Sequence, residues 1–268
     1  MSLPMKRYIP FMTAEPVISV LRLSGMIAAG GRGINDAMLA PSIERAFVKG
    51  NPVAVALAIN SPGGSPVQSS LIAARIRRLS EEKEIPVVAF VEDVAASGGY
   101  WLACAADEIY ADESSILGSI GVISAGFGFQ ELIGRYGIER RVHTAGNSKS
   151  FLDPFKPEQA EDVARLRALQ DQIHDSFKAH VSARRGNRLP DDQDLFTGEV
   201  WVGSGAVDVG LADGIGHLKP MMQARYGEKA VFKVHGPRRS FMQRLGAGAL
   251  SKVSAEIEER ALYARFGL

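Results

Sequence analysis

Val94-Ala95-Ala96-Ser97-Gly98-Gly99-Tyr100-Trp101 is the stretch on which the reading of this chain turns. Directly before it, Pro86-Val87-Val88-Ala89-Phe90-Val91 is short, apolar and unbroken, the pattern of a buried strand. Directly after it, Tyr100-Trp101-Leu102-Ala103-Cys104-Ala105-Ala106 reads as a helix. Ser97 therefore falls on a tight strand-to-helix turn, clear of the sheet. Beside it are the backbone N–H groups that a helix N-terminus leaves unpaired. Such donors can hold a developing oxyanion. The same serine could instead be an N-cap, with the glycines serving turn geometry. The turn alone does not choose between these.

One strand upstream the pattern repeats. Pro52-Val53-Ala54-Val55-Ala56-Leu57-Ala58-Ile59 is apolar throughout, as expected of a central parallel strand covered on both faces. It ends in Asn60-Ser61-Pro62-Gly63-Gly64-Ser65-Pro66, and a helix follows from about Val67 to Lys83. Leu71, Ile72, Ile76 and Leu79 face inward there, with Arg75, Arg77, Arg78, Glu81 and Glu82 outward. Earlier still come a strand, Val17 to Leu23, and a glycine-rich turn from Gly25 to Gly33. No Lys-Ser/Thr follows that turn, so it is not a P-loop. Asn35 caps the next helix, which runs to about Lys49 with Met38, Leu39, Ile43 and Phe47 at helical spacing.

Strand, glycine turn and helix in alternation predict an α/β fold with parallel strands. Crossovers of this kind are right-handed almost without exception. Both glycine turns then lie beyond the carboxyl ends of the strands, where open α/β sheets place their sites. The turn at Gly63-Gly64 and the turn at Ser97 should converge.

Downstream, Glu108 to Ala111 reads as a strand and Ser114 to Val122 as a small-residue segment punctuated by Gly118 and Gly121. Phe129 to Tyr136 reads as a short helix closed by Gly137, and Glu139 to His143 as a strand. Thr144 to Phe155 is a loop carrying Lys149. A long amphipathic helix spans Pro157 to Ala183, with Val163, Leu166, Leu169, Ile173 and Phe177 on one stripe. Residues 192–216 are rich in strands and turns, and Lys219 to Tyr226 is helical. Gly246-Ala247-Gly248 and a charged amphipathic helix, Leu250 to Phe266, form a tail. With no repeat and no clear linker, residues 1–268 read as a single domain, with its core about 17–235 and its tail 240–268.

The 268 residues allow an ample core, and 46% hydrophobic with 23% charged residues is ordinary for a soluble globular protein. A net charge of +1 gives no electrostatic case for nucleic acid. One cysteine excludes an intrachain disulfide. No apolar run reaches the roughly 20 residues of a spanning helix, and no signal-peptide pattern follows Lys6 and Arg7. The expected location is cytoplasmic, with association at a membrane surface possible.

A nucleophilic Ser97 needs a base. The five histidines are His143, His174, His180, His217 and His235. None lies between Ser97 and His143, and each reads as an ordinary surface or core residue. Lysine can serve instead, because burial among apolar groups disfavours its charged form and lowers its pKa. Lys149 has small residues before it and Phe151, Leu152, Pro154 and Phe155 after it. Lys156 is the alternative, and it looks exposed.

Asn60-Ser61-Pro62-Gly63-Gly64, Ala95-Ala96-Ser97-Gly98-Gly99-Tyr100, Gly118-Ser119-Ile120-Gly121-Val122 and Lys149 before Pro154-Phe155 occur in this order. The set resembles the signal peptide peptidase A family, serine peptidases of family S49 with a ClpP/crotonase-type fold. Thr144-Ala145-Gly146 is closest to its SohB-like branch. The segment Phe196 to Trp201, with Ala206 and Gly210-Leu211-Ala212-Asp213, is similar to the one that closes the family's domain.

That resemblance implies a serine endopeptidase with Ser97 as nucleophile and Lys149 as general base and acid. Ser119 would orient the lysine amine, and Gly64 and Gly98 would supply the oxyanion donors. Asn60, Gly63, Gly121 and Val122 would flank an extended peptide with small or hydrophobic side chains, such as a signal-peptide remnant. It implies no metal, no cofactor and ring-like homo-oligomers. Three rivals differ in what they need. A ClpP-like Ser-His-Asp peptidase needs a histidine soon after Ser97. A crotonase-type acyl-CoA enzyme leaves Lys149 without a reason, and so does an inactive peptide-binding scaffold.

Overall fold

The computed structural model describes residues 15–30, 33–146, 148–236 and 259–268. Residues Gly246 to Gly248, most of the tail helix, and Lys6 and Arg7 lie outside them. Three parallel strands form the centre: β1 (Val17–Ser24), β2 (Ala54–Ser61) and β3 (Val87–Ala96). Between them run α1 (Asp36–Ala46) and α2 (Pro66–Lys83), and α3 (Gly98–Ala103) follows β3. Asn35 caps α1 as its position predicts, accepting from the Met38 N–H at 3.0 Å. Ser65 caps α2 through the Gln68 N–H at 3.4 Å.

β3 is shared between two branches of the sheet. Its first half, from Val88 to Val91, pairs with β4 (Glu108–Ala111), which pairs in turn with β7 (Gly214–Ile215). Its second half, from Val94 to Ala96, pairs with β5 (Ile116–Gly118). β5 continues antiparallel to β6 (Val200–Val202), the one antiparallel pair among the described strands. At the other edge β8 (Val231–His235) lies parallel to β1. The register between β2 and β3 shifts between Ile59 and Ser61. Opposite that irregularity Glu92 and Asp93 stay exposed within an otherwise buried strand. The apolar run ends at Val91, but the strand continues through these two charged residues to Ala96.

Burial on the two faces of β2 follows the strand period. Val55, Leu57 and Ile59 join the main core with Leu39, Ile43 and Phe47 of the first crossover and Ile72, Ile76 and Leu79 of α2. Ala54, Ala56 and Ala58 face a smaller core with Met222 of α7 (Leu218–Tyr226). Each fully buried Leu, Ile or Phe side chain contributes about 1.5–3 kcal/mol, so the main core dominates. Met38 and Leu71, expected inward, are 39% and 47% exposed, because each sits at the margin of its helix's apolar stripe.

Beyond Gly121 the chain leaves the sheet as an arm. It contains α4 (Gln130–Arg135), none of whose residues is buried, and then α5 (Ala160–Arg185). The expected strand from Glu139 to His143 is absent, since that segment has no neighbouring strand to pair with. Of the apolar stripe on α5 only Phe177 is buried, while Leu169 and Ile173 remain exposed. The stripe has the helical period, but none of the described residues covers its first half. After α5 come β6, α6 (Gly203–Asp208) and β7. Among the described residues no helix is long and apolar enough to cross a membrane.

Candidate active site

The two glycine turns do converge. A β-carbon on Gly63 would stand 2.8 Å from the Ser97 β-carbon and 2.8 Å from the Gly98 nitrogen. A β-carbon on Gly98 would stand 3.3 Å from the Gly64 nitrogen and would overlap the Ser69 hydroxyl. So the turns after β2 and β3 are packed backbone to backbone, and a side chain at Gly63 or Gly98 would separate them. Ile27 clamps the first turn from behind. Its N–H donates to the Gly63 carbonyl at 2.8 Å, and its carbonyl accepts from the Ser65 N–H at 2.7 Å.

Ser97 holds an unusual backbone for a residue with a side chain, φ +52° and ψ −121°. It precedes the first turn of α3, yet its side chain makes no capping hydrogen bond. The N-cap reading of this serine is thereby set aside. Its own N–H donates to the Gly118 carbonyl at 2.8 Å, which ties the turn to β5. The amides of Gly64 and Gly98 have no hydrogen-bond acceptor among the described residues. Two neighbouring N–H donors without acceptors, next to an uncommitted hydroxyl, are the parts an oxyanion site requires.

Ser119 repeats the backbone strain, with φ +52°. Each such residue costs on the order of 1–3 kcal/mol and persists only where surrounding bonds over-determine it. The Ser119 N–H donates to the Glu199 carbonyl at 2.6 Å, and the Gly121 N–H to the Ser119 carbonyl at 2.9 Å. The Ile120 carbonyl accepts from His174 Nε2 at 3.1 Å, so that nitrogen carries the ring proton. Trp201 packs on Gly118, where a β-carbon would meet its ring at 2.8 Å.

The helix behind Ser97 is pinned at its far end. His180 Nε2 donates to the Trp101 carbonyl at 3.1 Å, and its ring stacks on the Trp101 indole with centroids 4.7 Å apart. Burial pulls the His180 pKa down, so the ring is neutral around pH 7. Arg184 donates to the carbonyls of Cys104 and Ala106, both at 2.9 Å. Tyr100 is fully buried and donates to the Leu211 carbonyl at 2.9 Å. Sequence alone gives His180 no role beyond that of an ordinary surface or core residue and leaves the partners of Arg184 and Tyr100 open. Their role depends on packing between distant segments, which leaves no local signal.

Lys149 lies in a turn at the tip of the arm and is exposed in the single chain. The described residues of its own chain do not bury it, in contrast to the apolar setting expected from its sequence neighbours. Its loop is nonetheless built. The Asp162 carboxylate accepts from the Leu152 N–H at 3.3 Å, and Leu152 is itself at φ +49°. Asp153 accepts from Arg140 at 2.9 Å and from the Phe155 N–H at 3.1 Å, which together hold its carboxyl below the usual range. Phe129 stacks near Phe155 at 5.6 Å. Lys156 is exposed and its amine reaches the Ser150 hydroxyl at 3.3 Å.

Gly121 and Val122 are half-buried where the chain departs from β5. Asn60 is held in part by its neighbours, while its side-chain oxygen is buried with no partner among the described residues. Its side-chain amide donates to Asp93, and its carbonyl accepts from the Gly25 N–H at 2.9 Å and the Tyr263 hydroxyl at 2.8 Å. Its alternate position on β2 turns it from the Ser61 side toward the second face. Of the histidines, His143 is exposed, His217 pairs with Asp112 at 2.8 Å, and His235 meets the Ser19 hydroxyl at 3.3 Å. Cys104 is buried and its thiol is pushed up to about 12. Among the described residues no three His, Cys, Asp or Glu side chains are grouped as metal ligands.

A mostly parallel sheet presenting an uncommitted serine beside unpaired amides defines a class, the serine-type hydrolases. Comparison with known proteins gives the family. The profile of peptidase family S49 matches residues 80–231. The chain is 32% identical over 204 residues to the chloroplastic serine protease SPPA of Arabidopsis thaliana, covering 75% of this chain and 29% of that one. It is 29% identical over 208 residues to the probable protease SohB of Haemophilus influenzae, covering 78% and 56%. A Brucella abortus protein named Na(+)/H(+) antiporter NhaA is 46% identical over 286 residues, 98% of this chain but 39% of that protein. The match leaves most of that protein outside it. This chain belongs to peptidase family S49, with the family's ClpP/crotonase-type fold.

Proposed function

We propose that the chain is a serine endopeptidase whose nucleophile is Ser97 and whose general base is Lys149. In the first step Lys149, as the free amine, takes the Ser97 hydroxyl proton as Oγ bonds to the scissile carbonyl carbon. Negative charge moves to the carbonyl oxygen, where the Gly64 and Gly98 amides stabilise it. The tetrahedral intermediate collapses, the C–N bond breaks, and the Lys149 ammonium gives its proton to the leaving amine. A water deprotonated by Lys149 then attacks the acyl-serine, the ester bond breaks and Ser97 regains its proton. Ser119 orients the lysine amine. Gly63, Gly121 and Val122 flank an extended, hydrophobic peptide held by strand-like backbone pairing.

The observation that carries this reading is Ser97 itself: strained, uncapped, and packed against two amides without acceptors. The chain spans only part of the length of several relatives, and substrate and assembly belong to the proposal. We place Lys149 at the Ser97 of a neighbouring copy in a ring. Two observations support that. Asp162, which holds the lysine loop, lies 12 residues from His174, which holds the Ser119 turn, a rise of about 18 Å along α5. The arm also leaves Ile123, Phe127, Tyr136 and Ile138 exposed among the described residues. Peptide cleavage by wild type and Ser97→Ala tests the reading. The variant should fold and show no cleavage, and retained cleavage would overturn it.

A further inference from the structure

Among the described residues, three hydrogen bonds fix the turn that carries Ser119. Two come from backbone amides: Ser119 to Glu199 and Gly121 to Ser119. The third is made by a side chain, from His174 Nε2 to the Ile120 carbonyl at 3.1 Å. Ile120 stands between the strained Ser119 and the Gly121-Val122 edge, so rotation of its carbonyl turns both neighbours. The strain at Ser119 and the net strength of one hydrogen bond are of the same order, so losing that bond is enough to let the turn relax. On the same helix Asp162 holds the Leu152 N–H, which stands in the lysine loop three residues beyond Lys149.

We propose that His174 and Asp162 are positioning residues for catalysis, with α5 as the rigid strut between them. His174 sets the Ser119 hydroxyl and the adjoining peptide-binding edge, and Asp162 sets the loop that presents Lys149. Neither touches the reacting atoms. This inference rests on the Ser97–Lys149 reading above, and adds to it how the parts are held in register.

The bonds differ from general packing in what replaces them. A glutamine at 174 keeps an N–H donor within reach of the Ile120 carbonyl, and an asparagine at 162 keeps an acceptor for the Leu152 N–H. Alanine keeps neither. Displacing a catalytic group by about 1 Å costs on the order of 100-fold in rate while leaving substrate contacts intact.

The test is steady-state peptide cleavage and thermal unfolding of His174→Ala, His174→Gln, Asp162→Ala and Asp162→Asn in the full chain. The expected result for each alanine variant is kcat lower by about 10- to 100-fold; KM stays within about threefold of wild type for Asp162→Ala, which acts on the lysine loop alone, and rises for His174→Ala, which also shifts the peptide-binding edge. The glutamine and asparagine variants should recover most of kcat, with melting temperatures close to wild type for all four. Alanine variants with wild-type kcat would overturn the proposal. So would amide variants that fail to recover while the melting temperature falls, since the residues would then be structural. If His174→Ala does not fold, the Asp162 pair decides by the same criteria. Ser97→Ala run alongside separates the two claims: cleavage by that variant sinks the dyad, whereas its loss together with unchanged kcat at 174 and 162 sinks only the strut.

Discussion

Gly63 and Ser97 lie so close that a β-carbon on the first would sit 2.8 Å from the β-carbon of the second. That contact joins the turn after β2 to the turn after β3 and brings the Gly64 and Gly98 amides together. Gly63 also holds φ +98°, a conformation that side chains resist. Gly63→Ala should therefore displace the nucleophile turn and lower stability by about 1–3 kcal/mol. Fluorophosphonate labelling of Ser97 should slow by at least about 100-fold. Labelling at the wild-type rate would show that the two turns need not touch.

Arg185 is almost completely buried and pairs with Asp213 at 2.8 Å, and it also donates to the Gly210 carbonyl at 2.8 Å. Replacing it with alanine removes charge-assisted bonds to a half-buried carboxylate and to the Gly210 carbonyl, so Arg185→Ala should cost about 1.5–3 kcal/mol in urea unfolding. A loss under about 1 kcal/mol would mean that water or Arg188, 3.0 Å from Asp213, takes over the charge.

Cys104 gives a pH dependence with a definite sign. Burial holds its thiol protonated, up to about 12 against an ordinary value of 9.0. Above pH 9 the unfolded thiol ionises and the folded one does not. Its contribution to stability is therefore complete below pH 9 and is lost as the pH rises from there toward about 12. A thiol reagent at pH 8 should leave the native protein unmodified and modify one cysteine in urea. Rapid modification of the native protein would show that α3 opens.

If Lys149 serves a neighbouring chain, two inactive variants should complement each other. Ser97→Ala supplies lysines and Lys149→Ala supplies serines. Co-refolded in equal amounts, they should regain a substantial fraction of wild-type cleavage. No recovery, from a mixture shown to co-assemble, would place both groups of the dyad in one chain.

The centre of the fold was legible because each element announces itself locally. The apolar run Val87 to Val91, the Asn35 cap and the paired glycine turns need no knowledge of distant residues. The arm was not legible for the opposite reason. Leu169 and Ile173 show helical periodicity, which says that a face is apolar but not which surface covers it. Glu139 to His143 has strand-like residues without a strand to pair with. β8 escaped because its pairing with β1 joins residues more than 200 apart. In the site, the meeting of the Ser97 turn with the Gly63-Gly64 turn was legible from the order of strands, turns and helices, whereas the roles given to Ser97 and the glycines came with the family resemblance. His174, His180 and Asp162 were not legible, since each acts on a backbone group that sequence does not bring near it.

The measurement closest to the central claim is the site of covalent labelling by a fluorophosphonate, mapped by peptide mass spectrometry. A single adduct on Ser97, absent from Ser97→Ala and strongly reduced in Lys149→Ala, is the predicted result. An adduct on another serine, or full labelling of Ser97 without Lys149, would contradict the Ser97–Lys149 dyad.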